Sequence, residues 1–172
     1  LWKNGKLNRH LIARDAPTLA TAFNLPEEAR SARFYMVEET GVGRGHPLSG
    51  EKLALVLTVY RASDFEAAKA RTREILDFQG KGHSIGLHTT RPDRARELAE
   101  EMPVVRVLMN FAHTFGNGGG FDSGLEFTLS MGCGSWQKNS LSENLNYRHF
   151  LNITHLVTPI PEDKPSQKAL VG

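Results

Sequence analysis

Cysteine is almost absent: Cys133 is the one thiol in 172 residues. A single cysteine excludes an intramolecular disulfide framework and suits a reducing compartment. Long apolar runs are missing too. No stretch approaches the roughly 18 consecutive apolar residues that a membrane-spanning helix needs. Charge of one sign is scarce, because 21 Lys and Arg meet 19 Asp and Glu, a formal net charge of +2. Without a clustered basic stripe this leaves no electrostatic footprint for nucleic acid. The histidines lack the i,i+4 pairing of a helical zinc site, so no metal is expected. The opening "LWKNGKLNRH" is too polar for a signal peptide and starts without Met, which reads as a piece of a longer chain. The sequon at Asn152 is taken as chance. These absences predict a cytoplasmic protein with no membrane and no nucleic-acid partner.

What is present is ordinary globular material, 40% hydrophobic and 23% charged, of a length that suits a single core. "LALVLTVY" from Leu53 is nearly all apolar and predicts a strand covered on both faces. "SDFEAAKARTREILDFQG" predicts a helix, with Ser63 and Glu66 as a capping box and Phe65, Ala68, Thr72, Ile75 and Leu76 on its inner face. Gly80 supplies its stop. "HSIGLHTT" predicts a second strand. "TRPDRARELAEEM" predicts a second helix, capped by Thr90 and Asp93 with Leu98 and Met102 inward, and "VVRVLMN" a third strand. The order is βαβαβ, an α/β fold with a parallel sheet. Upstream, "DAPTLATAFNL" reads as a short helix and "RFYMVEE" as a strand. "TGVGRGHPLSG" is expected to be a flexible loop that delivers Glu51 to a strand start. Downstream, "FAHTFGNGGGFDSG" shows turn residues and no helical period, so a long functional loop is expected. "HFLNITHLV" alternates like a strand without a sequence-local partner, and the Pro-rich end reads as a mobile tail.

The candidate chemistry is incomplete when read from residue types alone. "GKGHSIG" approaches a dinucleotide fingerprint, but it runs helix, loop, strand, whereas phosphate binding needs strand, loop, helix. Cys133 has two readings: a nucleophile, which needs a cationic neighbour or a helix N-terminus to lower its pKa, or a packing group framed by Gly132 and Gly134. Glu51 also has two: a carboxylate accepting both hydroxyls of a ribose, or a solvated charge.

"SMGCGSWQKNSLSENLNYRHFLNITHLV" closely resembles the C-terminal signature of the CoA-acylating aldehyde dehydrogenases. Gly132, Cys133, Gly134, Ser135, Trp136, Asn139, Ser140, Ser142, Glu143, Asn144 and His149 carry the match. "LWKNGKLNRHLIARDAP", "GEKLALVLTVYRASDFEAA", "GKGHSIGLHTT" and "VRVLMN" resemble further blocks of that family in the same order. The loop "NFAHTFGNGGGFDSG" is most similar to the acylating sulfoacetaldehyde dehydrogenases. The resemblance implies an aldehyde-dehydrogenase-like catalytic-domain portion over residues 1–140, an oligomerisation strand segment over 141–158 and a mobile tail over 159–172.

It also implies the reaction. A thiolate upstream of Leu1 adds to a small aldehyde, hydride passes to NAD or NADP, and CoA, the co-substrate, displaces the acyl group from the enzyme thioester. Cys133 then falls at the family's second, non-nucleophilic cysteine. Glu51 matches the glutamate that holds the nicotinamide ribose. His83 matches a catalytic histidine that assists the CoA thiol. Phe111, His113 and Thr114 fall in the loop that shapes the substrate mouth, where His113 and Thr114 offer donors for a sulfonate alongside a nest of glycine amides. The implied partners are the aldehyde, CoA and further copies of the chain, joined through the C-terminal strand into a homo-oligomer. Acylating succinate-semialdehyde or acetaldehyde dehydrogenases are the alternatives within the family. A non-catalytic α/β binding or assembly module is the alternative outside it.

Overall fold

The structure is a computed structural model that describes residues 1–164. The chain opens on a tight hairpin, β1 (Trp2–Lys3) against β2 (Lys6–Leu7), closed by Asn4 and Gly5. Both turn residues have positive φ, as an Asn-Gly hairpin turn requires. Helix α1 (Ala16–Phe23) follows, with the Asp15 carboxylate accepting from Thr18 N at its start. Leu19 on α1 is fully buried, and the Tyr35 hydroxyl ties the helix down at the Ala16 carbonyl. Strands β3 (Tyr35–Glu38) and β4 (Val56–Val59) pair in parallel, with Tyr35 opposite Val56.

Helix α2 (Phe65–Phe78) leads to β5 (Gly82–Leu87), and α3 (Pro92–Glu101) leads from there to β6 (Val104–Met109). β5 and β6 are parallel, with Gly82 opposite Val104 and Leu87 opposite Met109. Leu76, Leu98, Met102 and Val104 form a buried cluster, against which Phe65, Ile85, Leu87 and Val107 pack. Each fully buried leucine there contributes about 1.5–3 kcal/mol by leaving water. Lys69 on α2 bridges Glu97 and Glu101 on α3, so charge joins the two helices at the rim of the apolar seam. No helix among the described residues is long and apolar enough to cross a membrane.

The α/β class holds, with parallel strands and crossover helices, but the expected single βαβαβ sheet does not form within the described residues. β3–β4 and β5–β6 are two separate parallel pairs, and α2 carries the chain from one to the other. Alternation and apolarity mark a strand; which strand lies beside it is a long-range choice that they do not encode. The first strand is also shorter than "LALVLTVY" suggests. Leu53 has a positive φ, and Leu53, Leu55 and Leu57 remain 47%, 39% and 51% exposed, so none of the described residues covers that face.

Both caps differ from expectation. Asp64, and not Ser63, caps α2: its Oδ1 accepts from Ala67 N at 2.8 Å, while Ser63 Oγ donates to Asp64 Oδ2. At α3 the cap position is Arg91 without a side-chain bond, and neither Thr90 nor Asp93 caps. Pro92 opens that helix and removes one of the N–H groups that a cap would satisfy, so Asp93 is left to pair with Arg91 instead.

Three other segments also depart from the sequence reading. Residues 40–50 are a folded loop: Ser49, 7% exposed, accepts from Gly43 N and donates to the His46 carbonyl, and His46 Nδ1 meets Glu39 at 2.8 Å. The long loop after β6 contains a short helix, α4 (His113–Gly118). The segment 149–157 forms no strand. Tyr147–Phe150 is a single tight helical turn, and residues 151–164 run exposed without regular structure. A strand exists only by bonding to a neighbour, and the described residues offer this segment none. The last eight residues of the predicted tail lie outside the described residues.

Candidate active-site surface

The α4 side of the β5–β6 pair is where the polar side chains converge. Ile85, Leu87 and Val107 point into the α2–α3 core, so alternation turns Ser84, Gly86 and Arg106 to the opposite face. α4 lies on that face. Gly86 makes the approach possible, because a Cβ there would stand 2.8 Å from His113 Nδ1. The result is a three-way meeting at one hydroxyl. Ser84 Oγ lies 2.8 Å from His83 Nδ1 and 2.8 Å from His113 Nε2, and it accepts from Asn117 Nδ2 at 2.8 Å. Two of the sequence-predicted residues, His83 and His113, are thus joined through a serine that sequence reasoning passed over. The signal was present only in part: "GHS" puts a hydroxyl next to the candidate histidine in the chain. Desolvation, followed by the charge of His83, holds His113 below the ordinary imidazole range.

Beside this cluster is an open cleft of about 620 Å³, walled by Phe111, Phe115, Phe121 and Phe127 with Asp122 at its edge. Phe111, expected in the loop that shapes the substrate mouth, lines this cleft. His113 is directed to Ser84, and Thr114 is exposed on α4. The expected nest of glycine amides is only partly available, because Gly116 N is spent inside α4 on the Ala112 carbonyl.

Glu51 is not brought into this cluster. It precedes β4 by five residues and is held by its backbone, which donates to Gln79 Oε1 at 3.0 Å. Its carboxylate is exposed and has no hydrogen-bond or ion-pair partner among the described residues, so both oxygens are open to a vicinal diol. Gln79 lies at the end of α2, whose turn continues into β5 and His83.

The glycine-flanked cysteine has a structural setting. Gly132 N and Gly134 N donate to the carbonyls of Glu143 and Leu141, and Cys133 N donates to Asn139 Oδ1 at 2.8 Å. Gly82 on β5 lets this turn sit against the strand, because a Cβ there would collide with the Cys133 carbonyl. The rest of the signature is held in the same way. Asn144, 4% exposed, donates to the carbonyls of Asn117 and Glu126, while His149 accepts from Asn146 N and meets Glu143 at 3.0 Å. These residues build the surface beneath α4 and the cleft. Arg106 is buried there, 7% exposed, with one guanidinium nitrogen unpartnered among the described residues, and burial pushes its pKa down.

No protein-family model matches the chain. Individual proteins do. A probable aldehyde dehydrogenase from Listeria monocytogenes superposes on 95% of the chain with a TM-score of 0.84 at 32% identity, and the chain covers 36% of it. An acetylating aldehyde dehydrogenase from Geobacillus thermoglucosidasius superposes on 94% of the chain with a TM-score of 0.79 at 27% identity, again over 36% of its own length. In sequence and in fold, the chain is similar to part of the acylating aldehyde dehydrogenases. It is 45% identical over its whole length to the acylating sulfoacetaldehyde dehydrogenase of Cupriavidus necator, and 34% identical over 93% of its length to that of Bilophila wadsworthia. The chain spans about 35% of the length of these two curated relatives.

Proposed function

We propose that the protein carrying this chain is an NAD(P)-dependent, CoA-acylating aldehyde dehydrogenase that oxidises sulfoacetaldehyde. The observation that carries this reading is the 45% identity to an acylating sulfoacetaldehyde dehydrogenase over the whole chain. On this reading the nucleophilic cysteine is not Cys133, whose backbone is tied into the signature clasp, but a thiol in the length of the relatives that this chain does not span. The nicotinamide, when bound, supplies the hydride acceptor. Glu51 fits the ribose because its two carboxylate oxygens are unspent, and a carboxylate accepts both hydroxyls of a diol. His83 fits the thiol step. It is exposed, its Nδ1 is engaged by Ser84, and its Nε2 is left to take the proton of an incoming CoA thiol as that thiol attacks the enzyme thioester. A thiol needs less activation than water, so a single imidazole suffices.

Reduced nicotinamide formed only in the presence of CoA, with sulfoacetaldehyde preferred over acetaldehyde and succinate semialdehyde, is the expected result. A preference for either competitor would reassign the substrate. Glu51→Gln should raise the KM for the nicotinamide or lower kcat, since a charged hydrogen bond to a hydroxyl contributes about 1.5–3 kcal/mol. Unchanged values of both would return Glu51 to a solvated surface charge.

A further inference from the structure

The hydrogen count at Ser84 limits the two histidines that share it. A serine hydroxyl has one proton and two acceptor lone pairs. Asn117 Nδ2 occupies one lone pair, which leaves one proton and one lone pair for His83 Nδ1 and His113 Nε2. One ring must therefore present a bare nitrogen to the Ser84 O–H while the other presents an N–H to the Ser84 lone pair. Two N–H groups cannot both be satisfied there.

We propose that His83, Ser84 and His113 form a single one-proton unit, in which His113 acts through Ser84 as a positioning residue that fixes the tautomer of His83. In the productive arrangement the Ser84 hydroxyl donates to His113 Nε2, and His83 Nδ1–H donates to Ser84. That leaves His83 Nε2 as a bare, outward-facing base. When His83 takes a proton at Nε2, both of its nitrogens are N–H, and the arrangement at Ser84 is already the one that a protonated His83 requires. The proton can also move on: His83 Nδ1–H passes its proton to Ser84 Oγ while the Ser84 proton passes to His113 Nε2, and each atom keeps its normal valence. Double protonation would force two N–H groups onto one lone pair and is excluded. The inference deepens the proposed role of His83 and rests on that reading for its catalytic meaning, but the sharing of the proton does not depend on it.

The surroundings add no competing carboxylate. On α4 and β5 the two histidines are the only titratable groups. On β6 the register partner of Ser84 is Arg106, a buried cation. The glycine-flanked turn against β5 contributes Cys133, and Lys81 ahead of the strand is paired with Asp77. Desolvation, and then the charge of His83, lowers the proton affinity of His113.

The test is long-range proton–nitrogen NMR of the 15N-labelled protein, with no substrate present, titrated through the histidine range and assigned with His83→Gln and His113→Gln. The ring nitrogen shifts report the tautomers directly. The expected result is that the pair takes up a single proton across the histidine range, a step sensed by both rings, with His83 in the Nδ1–H form when neutral. Ser84→Ala, with its backbone spectrum otherwise preserved, should convert this into two independent single-step curves. Ser84→Thr, which keeps the hydroxyl, should restore the linkage. Independent titration in the native protein, or linkage that survives Ser84→Ala, overturns the proposal. Kinetic defects in Glu51→Gln or His83→Gln bear on the proposed function and leave this result untouched.

Discussion

At the scale of single residues, the informative side chains are those that settle a backbone group. Asp64 is the clearest. Its carboxyl is held below the ordinary value, first because Ala67 N donates to it and next because Ser63 does. A carboxyl whose folded pKa is depressed contributes stability that is present above its unfolded value of about 3.9 and is lost as pH falls through the folded value. Asp64→Ala should therefore lower the melting temperature near neutrality by about 3 °C. The gap between the variant and the native protein should close as the pH is taken down through and below the carboxylate range. Thermal melts by circular dichroism across that range check it. A gap that stays constant with pH would mean that Asp64 acts through packing and not through its charge. The sequence placed a cap within one residue of the right position but chose Ser63, because a hydroxyl and a carboxylate in consecutive positions satisfy the same pattern. Only the approach of the Ala67 N–H to Asp64 separates them.

At the scale of elements, the most legible part of the chain was α2 through β6. The apolar spacing of Leu76, Leu98 and Met102 dictates which helix faces turn inward, and those are the faces that meet in the buried cluster. Leu98, 4% exposed, is held by α2, α3 and β6 together. Leu98→Ala should cost about 2–5 kcal/mol, read as a lower urea midpoint with an unchanged slope, since the transfer loss is compounded by the cavity left behind. A loss near zero would show the cluster collapsing around the gap. By contrast, α4 was unreadable, because "HTFGNG" carries three poor helix formers and no apolar stripe. It is helical because it lies on β5–β6, where Gly116 fits against Leu108 and Phe111 and His113 reaches Ser84. Tertiary contact overrode propensity there, and with it came the convergence of His83 and His113 that no spacing rule connects.

At the scale of the molecule, the surface carries two uncovered apolar regions. One is the face of β3–β4 that bears Phe34, Met36 and Leu57. The other is the extended segment after β6's signature turn, where Ile153, Leu156 and Val157 are 70%, 93% and 84% exposed. Such area does not ordinarily face water. The chain spans about a third of the length of the two curated sulfoacetaldehyde relatives. For the second region, the alternation in "HFLNITHLV" favours pairing with the sheet of another copy, because an extended segment gains its bonds only from a neighbour. Deleting Leu151 onward should reduce the mass measured by light scattering. An unchanged assembly would assign the segment to another role.

The sequence by itself determined the class, α2, α3, β5 and β6 as local objects, and the resemblance carried by the Cys133 signature. These follow from spacing, polarity and residue identity, which are all properties of near neighbours along the chain. The tertiary structure decided the rest: that the strands pair two by two, that Glu51 stands apart on its backbone tether to Gln79, and that a plain serine joins His83 to His113. Each of these depends on groups distant in sequence arriving within about 3 Å of one another, a distance set by how the elements pack and not by any pattern along the chain.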